Sequence, residues 1–217
     1  MQTHFEKELS GLRDKLLTMA SHAESAVRQG VEALMTRNES LAQGVKKGDD
    51  VIDGFEVEVD DIAVHLLAKA PLASHLRLIT VAMKVSQNLE RVGDEASQVA
   101  KRAILLIQEP PLKQVAIIPQ IAEMSLEMLK AALDAFVNQD AAAARNLIPM
   151  DRQVDELNRQ IYRDLANGMM EHPDTVPRAL NLIVVAKSLE RVGDHAKNIA
   201  EEVVFLCEAQ DIRHAAR

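Results

Sequence analysis

Rings and thiols are scarce in this chain. Aromatic residues make up 2% of its 217 residues, with no Trp, one Tyr and four Phe, and Cys207 is the single cysteine. One cysteine excludes a disulfide framework and a thiolate zinc centre, and it fits a reducing compartment. No apolar run approaches the ~20 residues that span a bilayer; the longest, such as Leu182 to Ala186, fall far short. Met1 to Asp14 is charged early and has no apolar stretch of the kind a signal peptide needs, so the expectation is a soluble cytoplasmic protein with no direct membrane insertion. Strict apolar–polar alternation bounded by turns is also missing, which removes strands as the organising element. The formal net charge of −8 argues against nucleic acid or an anionic membrane surface as partner. It is compatible with cations, although plain solubility accounts for it equally well.

What remains is 47% hydrophobic, supplied by Leu, Val, Ile, Ala and Met. That is ample for a core, and a core without rings suits helix packing. The nine Met residues read as core filler.

The chain repeats itself. Leu89-Glu90-Arg91-Val92-Gly93-Asp94 returns unchanged one hundred positions later as Leu189-Glu190-Arg191-Val192-Gly193-Asp194. Val85, Ala96 and Ala100 match Val185, Ala196 and Ala200 at the same spacing. Earlier segments align at a spacing two residues longer: Glu32-Ala33-Leu34 with Asp134-Ala135-Phe136, and Asp49 and Asp53 with Asp151 and Asp155. The change of spacing falls at the turns near Pro71 and Pro173, where length changes are tolerated. Within each copy, apolar residues recur at intervals of three and four. Leu12, Leu16, Met19, Ala23 and Val27 form one stripe, Ile52, Phe55, Val59, Ile62 and Leu66 a second, and Leu78, Val81, Val85, Leu89, Val92, Ala96 and Val99 a third. Ile121, Met124 and Met128, then Val154, Leu157 and Ile161, then Leu182, Val185, Leu189 and Val192 repeat the set. These are core-facing helical stripes. Pro71, Pro110-Pro111, Pro149 and Pro173 punctuate them, and Asp174 ahead of Pro177 suits a helix start. The expected architecture is all-α: two tandem three-helix bundles, each up-down-up, over residues 1–108 and 115–210, with a linker at 109–114. Residues 39–47 and 141–147 are expected as brief helices leading into the second long helix of each bundle.

Residues four apart share a helix face. Glu90 with Asp94, Glu190 with Asp194, Asp49 with Asp53 and Asp151 with Asp155 therefore form four acidic pairs. In an antiparallel hairpin, Asp53 and Glu90 lie almost equally far from the turn at Leu72, and Asp155 and Asp194 from the turn at Asp174. Four carboxylates thus meet at one level of each bundle. Oxygen sets of this kind suit Mg²⁺, Mn²⁺, Ca²⁺ or iron rather than a thiolate-seeking metal. One pair alone reads as solvated surface charge, or as acid satisfied by Arg91 or Arg191; duplication and matched height point to cations. Asn198 and Glu201 continue the stripe as further candidate ligands, whereas the first copy has Gln98 and Lys101. The second site is therefore expected to be the stronger. Gly93 and Gly193, inside helices, call for close packing or ion access. His195 has no counterpart and is expected to be exposed and idle; His22, His65, His75 and His172 likewise find no aligned partners. A carboxylate di-iron oxidase is the rival enzyme, but its Glu-x-x-His pattern is broken by Gly at positions 93 and 193. Hydrolytic triads find no duplicated base. A metal-free helical scaffold is the third reading.

Two copies of a three-helix unit, each bearing Leu-Glu-Arg-Val-Gly-Asp in its third helix, resemble the PhoU family of phosphate-signalling proteins. The run Asp194-His195-Ala196-Lys197-Asn198-Ile199-Ala200-Glu201 and the Asp-rich starts of the second helices add to the likeness. The resemblance implies a non-enzymatic cytoplasmic regulator, expected as a homodimer, that links a phosphate ABC transporter ATPase subunit to a sensor histidine kinase. It would restrain uptake and the phosphate-starvation response when phosphate is plentiful. It also implies divalent or ferric metal ions (iron, Mn, Mg or Zn) on the acidic pairs.

Overall fold

The structure is a computed structural model and describes residues 4–70 and 72–213; Pro71, used above as punctuation, lies outside them. Helices α1 (His4–Thr36), α2 (Glu39–Leu67) and α3 (Ala73–Ile107) form one up-down-up bundle. Helices α4 (Ile118–Asn138), α6 (Asp151–Glu171) and α7 (Val176–Glu208) form the second, with the short α5 (Ala141–Leu147) ahead of α6. No strand occurs among the described residues.

The two copies differ where their sequences do. Residues 39–47 are not a separate brief helix but the first turns of α2. In the second copy the corresponding stretch is cut by a 3₁₀ turn, Ile148–Met150, which contains Pro149. Lys47 holds that place in the first copy. Proline lacks the N–H that an α-helix needs there and clashes with the preceding turn, so one helix becomes two. The hairpin before this point is built alike in both copies. Arg37 and Gln139 take left-handed φ values of 54° and 51°. Asn38 and Asp140 follow as N-caps, their side-chain oxygens accepting from Leu41 N and Ala143 N. Between the copies, α3 ends at Ile107, and a 3₁₀ turn over Lys113–Ile117 leads into α4.

α3 and α7 pack against each other as well as against their own bundles, and the buried apolar residues of both copies form one core. This explains why α3 buries Glu95, off its main stripe, where Arg191 of α7 meets it. Polar side chains cross this seam: Lys84 Nζ lies 2.9 Å from Glu202 Oε2, Arg191 Nη1 3.1 Å from Glu95 Oε1, and the His195 ring 3.0 Å from Asn88 Oδ1. His195 is thus half-buried in the seam rather than exposed and idle.

Within each bundle, the motif glycine faces the second helix. A Cβ at Gly93 would lie 2.8 Å from Ile52 Cδ1; at Gly193 it would meet Val154 Cγ1 at 3.6 Å, ordinary contact. Ile52 and Val154 are equivalent positions, so the extra methyl of isoleucine closes the gap in the first copy. Gly193→Ala is therefore expected to raise stability in urea unfolding by about 1 kcal/mol through helix propensity. Gly93→Ala should gain less or lose, because displacing Ile52 from its rotamer costs about 0.5–1.5 kcal/mol. Equal gains for both variants would contradict this packing.

Candidate metal centre

The acidic pairs sit where each second helix runs beside the third. In the first copy, burial is the main reason that the Asp49 carboxyl is raised above its ordinary range, and the charges of Asp53 and Asp94 add to the rise. Ser97 opposes it: its hydroxyl faces Asp49, although the two do not form a full hydrogen bond. Glu90 is pushed up to about 7, first by burial, then by Asp94, with Glu56 and Asp53 adding to it. In the second copy, Glu190 is raised by burial and then by Asp194 and Asp155, with Lys187 opposing. Asp194 is raised by burial and by Asp151 and Asp155. The fold thus brings Asp49, Asp53, Glu90 and Asp94 within reach of one another's charge, and does the same for Asp151, Asp155, Glu190 and Asp194.

The side chains do not form a closed cage. Among the described residues no three His, Cys, Asp or Glu side chains are arranged to hold one metal ion. Five of the eight carboxylates pair with a cation of the chain instead. Arg91 lies 3.3 Å from Glu90 Oε2 and 3.2 Å from Asp94 Oδ2. Lys197 Nζ lies 2.7 Å from Asp151 Oδ2, and Arg159 Nη2 3.6 Å from Asp155 Oδ2. Lys187 Nζ lies 2.5 Å from Glu190 Oε2, off the line of a hydrogen bond. Asn198 turns its amide toward Asn88 of α3. Glu201 is raised by burial, with the charges of Lys197 and Arg213 opposing.

The donor set nevertheless fits a hard cation. Ser97, 2% exposed, has a hydroxyl with no hydrogen-bond partner, and Asp151, 7% exposed, keeps an unpartnered Oδ1 although Lys197 holds its Oδ2. Buried unpartnered oxygens beside raised carboxylates are what a cation relieves. Sequence reasoning missed Ser97, Lys187 and Lys197. The signal was available, because positions 87 and 97 differ in charge from 187 and 197 within otherwise matching helices.

The raised Glu90 carboxyl makes stability depend on pH. Its folded value of about 7 exceeds the ordinary value of 4.5, so the folded state holds the extra proton between them. Stability therefore falls as pH rises through that window and stays lower above it. Glu90→Gln is expected to flatten this fall and to stabilise the chelator-treated protein at pH 8 by about 1 kcal/mol, after allowance for solvent screening. Thermal unfolding from pH 4.5 to 8 measures it; a variant as pH-sensitive as the native chain would contradict the assignment.

Comparison with known proteins follows the same lines. The PhoU domain model matches residues 16–103 and 118–203, one match per bundle. The Pseudomonas aeruginosa phosphate-specific transport system accessory protein PhoU homolog is 41% identical over 212 residues, 97% of this chain and 88% of that protein. The Escherichia coli phosphate-specific transport system accessory protein PhoU is 32% identical over 211 residues, with 97% and 88% covered. The crystal structure of PhoU from Pseudomonas aeruginosa superposes with a TM-score of 0.91 at 40% identity, covering 95% of this chain and 100% of that one. That of the phosphate transport system regulatory protein PhoU from Streptococcus pneumoniae gives 0.88 at 25% identity, with 96% and 99% covered. The duplicated helical motif, the paired bundles and these likenesses agree: the chain belongs to the PhoU family.

Proposed function

We propose that this chain is a non-enzymatic accessory regulator of phosphate-specific transport. It works in the cytoplasm as a homodimer, between the ATPase subunit of a phosphate ABC transporter and a sensor histidine kinase. When phosphate is plentiful it restrains uptake and the starvation response. Membership of the family and the accessory and regulatory names of its relatives support this reading. No helix of the described residues is long and apolar enough to cross a membrane, which suits a partner that docks on a transporter rather than joining it. No histidine is among the grouped carboxylates, which favours a binding surface over the di-iron oxidase.

The observation that carries the mechanism is the duplicated meeting of carboxylates between α2 and α3 and between α6 and α7. Asp49, Asp53, Glu90 and Asp94 in the first copy, and Asp151, Asp155, Glu190 and Asp194 in the second, are the carboxylates open to a divalent or ferric ion wherever the chain's own cations do not already hold them. Such an ion supplies positive charge that offsets repulsion between neighbouring helices. The chain's own side chains then determine how firmly α2 is held to α3, and α6 to α7, and which surface a partner meets. Partner affinity follows cation binding only to the extent that the partner prefers the fixed arrangement.

In a strain lacking the gene, a phosphate-starvation promoter should be active in phosphate-rich medium, and the native chain should silence it. Asp94→Ala with Asp194→Ala, shown to be helical by circular dichroism, should leave the promoter active. A silent promoter in the deletion strain would overturn the regulatory reading. Full silencing by the folded double variant would overturn the carboxylate mechanism alone.

A further inference from the structure

The two copies share their carboxylates but not their counter-charges. We infer that the second copy carries its cation built in, chiefly as Lys197, with Lys187 and Arg159 adding charge from the surface, so that an added divalent ion is taken by the first copy alone. This rests on the polycarboxylate reading above and reverses the expectation that the second site is the stronger.

Three positions carry the difference. Lys197 reaches the buried Asp151 at 2.7 Å. The equivalent of Asp151 is Asp49, and the equivalent of Lys197 is Ser97, whose buried hydroxyl faces Asp49 without a partner. Lys187 lies 2.5 Å from Glu190, and its equivalent is the uncharged Gln87. Arg159 lies 3.6 Å from Asp155, and its equivalent is Val57, exposed on α2. The acid balance runs the opposite way. Glu56 adds its charge beside Glu90, whereas the second copy has Asn158 there.

The shared arginine divides the copies further. Arg91 stays on its own motif, bound to Glu90 and Asp94. Arg191 leaves its motif and crosses the seam to Glu95. The first copy therefore rests its acids on one exposed guanidinium, with Lys101 lending some charge to Asp49. An exposed ion pair is weakly held. A lysine bonded to a buried carboxylate is a charge-assisted contact, and being tethered it competes at an effective concentration that a free ion does not match. In the first copy, carboxylates and the Ser97 hydroxyl offer a hard-oxygen set with Arg91 as its one ion-paired cation, which suits Mn²⁺, Mg²⁺ or Ca²⁺.

Calorimetric titration of Mn²⁺ into the chelator-treated full chain tests this. Asp53→Asn with Asp94→Asn should weaken binding at least tenfold, while Asp155→Asn with Asp194→Asn should change it less than twofold. Lys187→Gln with Lys197→Ser, which gives the second copy the residues of the first, should add a second class of Mn²⁺ site. Equal weakening by the two asparagine pairs, loss confined to the second-copy pair, or no added class in a folded lysine variant would each overturn the inference while leaving the cation reading intact. Absence of Mn²⁺ binding by both the native chain and the lysine variant would overturn the cation reading as well. Thermal unfolding identifies folded variants; should the lysine variant not fold, the asparagine pairs decide.

Discussion

Carboxylates pressed together between neighbouring helices are the constraint on which this molecule depends. An acid four residues from another acid opposes helix formation, and a third acid on the adjacent helix opposes packing. Burial sharpens both effects, as the raised Glu90, Asp49, Glu190 and Asp194 carboxyls record. A fold that keeps such a ledge must find positive charge for it, from its own lysines and arginines or from outside. Whether the charge is tethered or exchangeable decides whether a ledge is a fixed strut or a responsive site. On the proposed reading, the duplicated chain has one ledge of each kind.

The rest of the architecture holds these ledges in register. Gly93 allows Ile52 of α2 to sit directly against α3, and Gly193 allows Val154 of α6 to approach α7. The paired turns at Arg37-Asn38 and Gln139-Asp140 launch each hairpin from the same geometry. At the centre, α3 and α7 carry both motifs while also meeting each other. Across the seam, Arg191, Glu95 and His195 each stand next in sequence to a motif acid, Glu190, Asp94 and Asp194 in turn. A change at either ledge thus has a short mechanical route to the seam between the bundles, through the same two helices.

Much of this was legible in the residues. Helical rhythm and proline punctuation placed the six long helices, and equal distance from a turn placed the acids of α2 beside those of α3. The limits have identifiable causes. Pro149 against Lys47 decides whether a second helix is continuous, a difference that alignment of acids alone passes over. The seam between α3 and α7 was hidden because its polar residues, such as Glu95 and His195, look like solvated surface until a second helix covers them. The counter-charges of the second copy were passed over because only residues on the acidic stripe were weighed. Lys187 and Lys197 flank the motif and reach back to it through long side chains, a reach that spacing along one helix face does not reveal.

The most direct test is to see where an exchangeable cation sits. Crystals of the native chain grown with Mn²⁺ and measured near the manganese absorption edge would show it as anomalous density. The account predicts a peak between α2 and α3, flanked by Asp49, Asp53, Glu90 and Asp94, and none between α6 and α7. Density confined to the α6–α7 ledge, or equal density at both, would contradict it.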